Sequence, residues 1–113
     1  MGDAGNWEYL HATAPVRTRE SEAMLVASLV AAVAQQRAPK SDREADVYRF
    51  AAQLLQSRYQ QAADFLDAAA RRFYAEENVQ PRSFARVLGD GLVAEPSRLR
   101  NLLERQMAGV TSW

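Results

Sequence analysis

The side chains that could carry chemistry are few and widely separated. His11 is the only histidine, and it stands in a segment with poor helical periodicity. A lone imidazole cannot build a multi-histidine metal site or a paired proton relay, and nothing beside it supplies the other members of a Ser-His-Asp triad. Asp64 and Asp67 lie three residues apart, on one face of a helix. Paired carboxylates divide acid and base roles only where burial separates their pKa values. Arg71, four residues after Asp67, predicts a solvated ion pair instead. The absence of cysteine excludes disulfides, zinc-thiolate centres and thiol nucleophiles.

Two further motifs fall short of a ligand site. Arg71-Arg72 beside Phe73-Tyr74 places cations next to aromatic rings, a pattern that nucleic-acid surfaces use. Asp64, Asp67, Glu76 and Glu77 surround it and cancel the field. Gly89-Asp90-Gly91 is too short for a phosphate cradle and has neither a preceding strand nor a lysine. It reads as a helix stop. No metal and no cofactor are therefore expected, and the chain is read as a non-enzyme.

The elements that would have to position any site are helices. The chain has 113 residues, the size of one domain with one core. Of its hydrophobic residues, 21 are alanine and none is isoleucine. Alanine favours the helix because it loses no side-chain entropy there, yet it buries little area. Helices should form readily and pack closely around a thin core, and a thin core gains stability by covering surface with a partner. Thirteen of the 14 cations are arginine, balanced by 14 acids. A neutral chain lacks the basic excess that holds proteins on nucleic acid or on anionic membranes. The longest apolar stretch, residues 23–34, is too short to span a bilayer, and no basic start followed by an apolar run marks a signal peptide. The expectation is a cytoplasmic protein, with a composition common among small helical proteins of high-GC bacteria and phages.

Residues 1–17 read as an irregular segment, broken by Gly2, Gly5 and Pro15. Residues 18–108 read as one helical domain, and 109–113 as a tail. The first helix should start at an N-cap on Thr18, with Glu20 and Glu22 in its first turn, and end near Arg37. Its stripe is Leu25, Val26, Leu29, Val30 and Val33, with alanines on most other faces. A helix apolar nearly all round is either central in the fold or part of an interface. Ser41-Asp-Arg-Glu44 is a capping box opening a second helix with Val47, Tyr48, Ala51, Leu54 and Leu55 on one face. Asp46 and Arg49 read as a surface pair.

No glycine or proline interrupts residues 41–77. That allows one long rod, or two helices with Ser57 capping the second. The turn is preferred, because a single rod would leave too few elements to cover its apolar face. Pro81 suits the start of a short helix bearing Phe84, Val87 and Leu88. Pro96 opens a last one with Leu99, Leu102, Leu103 and Met107, closed by Gly109. The fold class is all-α, a small bundle of four to five helices built from antiparallel helical hairpins.

The segment Leu55-Gln-Ser-Arg-Tyr-Gln-Gln-Ala62, continued by Leu66 and Ala69, resembles the middle of a tetratricopeptide unit. There an aromatic residue follows the inter-helix turn and alanine lets two helices approach. No 34-residue period recurs, so the resemblance implies a helical hairpin rather than a repeat array. Helical hydroperoxidase-like domains are similar in hairpin shape, but their chemistry requires a cysteine pair that this chain lacks.

These features point to a non-catalytic protein-protein interaction module: an adaptor, assembly chaperone, inhibitor or small accessory subunit. Its partner would be another protein, or a second copy through the helix at 18–37. Candidate contact residues are Trp7, Tyr9 and Leu10 in the N-terminal segment, Arg71, Arg72 and Tyr74, Leu92 and Val93, and Trp113. Tyrosine, tryptophan and arginine are favoured anchors of such contacts. The alternatives are a helix-turn-helix DNA-binding regulator using residues 81–108, or a ligand-binding bundle. Nucleic acid and membrane are disfavoured as partners.

Overall fold

The computed structural model describes residues 16–81 and 96–110, with side chains from Glu20 onward in the first stretch. Four helices occupy them: α1 (Val16–Gln35), α2 (Asp42–Leu55), α3 (Gln60–Glu77) and α4 (Pro96–Met107). No strand occurs among the described residues. The protein is all-α, as its alanine content and apolar periodicity require. The short helix expected after Pro81 and the Gly89-Asp90-Gly91 stop lie outside the described residues.

α1 begins at Val16, two residues before the expected cap. Thr18 is therefore inside the helix, and Glu22 is not a first-turn acid: it is buried and paired with Arg98. At the other end Gln36 adopts a left-handed backbone with φ 53°. Its N–H donates to the Val33 carbonyl and that of Arg37 to the Ala32 carbonyl. This double bond pattern is a Schellman stop, and it closes the helix before Pro39.

Ser41 caps α2 as expected, its Oγ accepting from the Glu44 N–H at 3.1 Å. The reciprocal bond reaches one residue further back than in the standard box. Glu44 Oε1 accepts from the Lys40 N–H at 2.6 Å, not from Ser41.

Residues 42–77 form two helices, so the turn reading is right and its capping detail is not. Tyr59, not Ser57, is the N-cap residue of α3, and no side chain caps it. The break is made by backbone alone: the Arg58 and Tyr59 N–H groups both donate to the Leu55 carbonyl. Asp46 near the start of α2 meets Tyr74 near the end of α3, so the two helices run antiparallel. Alanines at 45, 51, 52, 62, 63 and 70 are buried in this pair, which lets the backbones approach closely. Asn78, in a left-handed conformation, ends α3, its N–H donating to the Tyr74 carbonyl.

α2 is the central helix, with apolar residues buried on several sides, Phe50 included. α1 does not take that place. It packs mainly on α4 and less on α3. Val26, Leu29, Ala32 and Val33 of α1 and Leu99, Leu103 and Met107 of α4 complete the core. Leu25, Val30, Leu54 and Leu102, read from sequence as core stripe, are only partly buried.

Candidate interaction surface

α1 exposes the face that its core contacts leave over. With 100° per residue, Ala23, Met24, Ala27, Ala31 and Ala34 fall on one side, opposite Glu22, Val26, Leu29 and Val33. Ala23, Met24, Ala27 and Ala34 are exposed and Ala31 is half-buried. Met24 is the one large hydrophobic side chain left exposed among the described residues, at 73%. No ionisable residue occurs from Ala23 to Gln36. Solvated helix faces ordinarily carry charges, so this face has the composition of a covered surface.

A second apolar feature lies on α3. Its inner face, through Ala62, Ala63, Leu66, Ala70 and Tyr74, is buried, while Phe65, Ala69 and Phe73 form another row, one turn apart and half-buried. Together with Ala38 and Pro39 of the α1–α2 connection they line an open groove of about 240 Å³, rimmed by Arg72, Glu76 and Glu77. A second apolar recess, of about 280 Å³, lies between α1 and α4, lined by Ala23, Val26 and Leu102 with Glu22, Arg98 and Gln106.

Among the described residues, buried polar groups tie helices together. Tyr74 Oη donates to Asp46 Oδ1 at 2.5 Å, and Arg49 Nε donates to Tyr74 Oη at 3.5 Å. Asp46 is therefore buried, not on the surface where its spacing to Arg49 had placed it. Burial, reinforced by the hydrogen bond to Asp46, pushes the Tyr74 phenol up to about 12. Tyr48 donates to the Arg37 carbonyl at 3.0 Å. Burial and the Glu44 carboxylate raise its pKa also, opposed by the Arg37 guanidinium. Among the described residues no three His, Cys, Asp or Glu side chains gather as metal ligands, and no helix is long and apolar enough to cross a membrane.

The candidate contact residues divide three ways. Arg71 and Arg72 are exposed. Arg71 pairs with Asp67 at 2.7 Å, the surface ion pair expected from their spacing, and Arg72 borders the Phe65–Phe73 groove. Tyr74 faces inward, its ring buried and its hydroxyl bonded to Asp46, so it shares no surface with its two basic neighbours. Trp7, Tyr9, Leu10, Leu92, Val93 and Trp113, together with His11, lie outside the described residues. Sequence reasoning did not single out Met24. Its signal was present, as the one bulky member of the alanine face, but a stripe drawn for the core conceals the side it leaves outside.

No protein-family model matches the sequence, no curated protein is detectably similar to it, and no solved structure matches the fold.

Proposed function

We propose that this protein is a non-catalytic protein-protein interaction module that buries the outer face of α1 against a partner protein. The observation that carries this reading is the charge-free surface from Ala23 to Ala34 with Met24 exposed at its N-terminal end. Covering such a face releases water from apolar area at no cost in desolvated charge, and its alanines let another backbone approach closely. Arg and Glu side chains elsewhere on the surface keep the rest of the molecule hydrated.

A photo-reactive residue introduced at Met24, and separately at Ala27, tests the proposal in the native lysate. Gln53, exposed on α2, serves as the control position. The expected result is a discrete protein adduct from positions 24 and 27 and none from 53, lost when Ala31→Glu is added. Adducts to a second copy would identify the partner as this chain itself, and light scattering of the purified protein would then give a mass above the monomer. Cross-links confined within one chain, or equal labelling from position 53, would overturn the proposal.

A further inference from the structure

We draw no further inference here: the strongest candidate, the groove floored by Phe65, Ala69 and Phe73 beside the α1–α2 connection, carries nothing because no described part of the structure shows what covers it.

Discussion

Tyr74 and Asp46 are joined by a 2.5 Å hydrogen bond between two buried side chains on different helices. The bond fixes the register of α3 on α2 at the end of the hairpin away from its turn. Arg49 contributes a second, longer bond to the same hydroxyl. Removing that hydroxyl takes a hydrogen bond from a buried carboxylate, and a bond to a charged group is worth more than one between neutral groups.

Tyr74→Phe should therefore destabilise the protein by about 1–3 kcal/mol, with a pH signature. The phenol titrates near 10 when unfolded and at about 12 when folded. Between those values the folded state keeps a proton that the unfolded state has lost, so the tyrosine's contribution is complete below pH 10 and declines as pH rises toward 12. Urea midpoints at pH 9 and pH 11 check this: the gap between wild type and variant should narrow at the higher pH. A gap that stays constant would show that the hydroxyl does not hold its proton in the fold.

Glu22 and Arg98 connect α1 to α4 through a 3.0 Å bond, with Glu22 3% exposed and Arg98 about a third exposed. Arg98→Met strands the buried carboxylate. A fully buried pair would lose about 3–5 kcal/mol on such a change; the partial exposure of Arg98 lowers the expectation to about 1–3 kcal/mol. Adding Glu22→Leu should recover most of the loss, because an apolar pair of similar volume carries no desolvation penalty. Thermal melts of the two variants at neutral pH make the comparison. A double variant less stable than Arg98→Met alone would show that the glutamate is held by something other than this arginine.

Gln36 closes α1 from the left-handed region, where a Cβ is unfavourable. Gln36→Gly should stabilise the fold by about 0.5–1 kcal/mol, the relief of strain exceeding the added freedom of the unfolded chain. Asn78→Gly, at the matching position of α3, should gain less, since asparagine tolerates this backbone. Chemical denaturation of both variants would read the difference, and a loss on Gln36→Gly would mean that its side chain contributes more than its backbone costs.

How far the fold could be read in advance depended on what kind of force set each feature. The capping serine of α2, the proline start of α4 and the burial of Leu99, Leu103 and Met107 follow from local stereochemistry and period, and they stand where the spacing puts them. The break at Gln56–Arg58 was harder, because backbone bonds to Leu55 make it and no side chain announces it. The role of α1 was not legible. Its residues are apolar nearly all round, so periodicity cannot say which side meets the core, and only its packing against the other helices decides it. Asp46 was misplaced for a related reason. Three-residue spacing to Arg49 is satisfied equally on the surface and under a tyrosine that arrives from 28 positions along the chain.

The same packing gives an expectation contrary to simple hydrophobicity. Ala51 and Ala62 have no exposed surface, and their lack of a longer side chain is what allows α2 and α3 to lie close. Ala62→Leu forces a larger side chain into a position with no exposed surface, so it should destabilise by about 1–3 kcal/mol despite the gain in hydrophobic area. Ala68→Leu, on the exposed side of the same helix, should change stability by less than about 0.5 kcal/mol. Urea unfolding of the two variants separates the effects of propensity from those of space, because leucine replaces alanine in one helix in both. Equal stabilities would mean that the hairpin can part without penalty, and close approach of the two helices would then no longer explain why this chain is so rich in alanine.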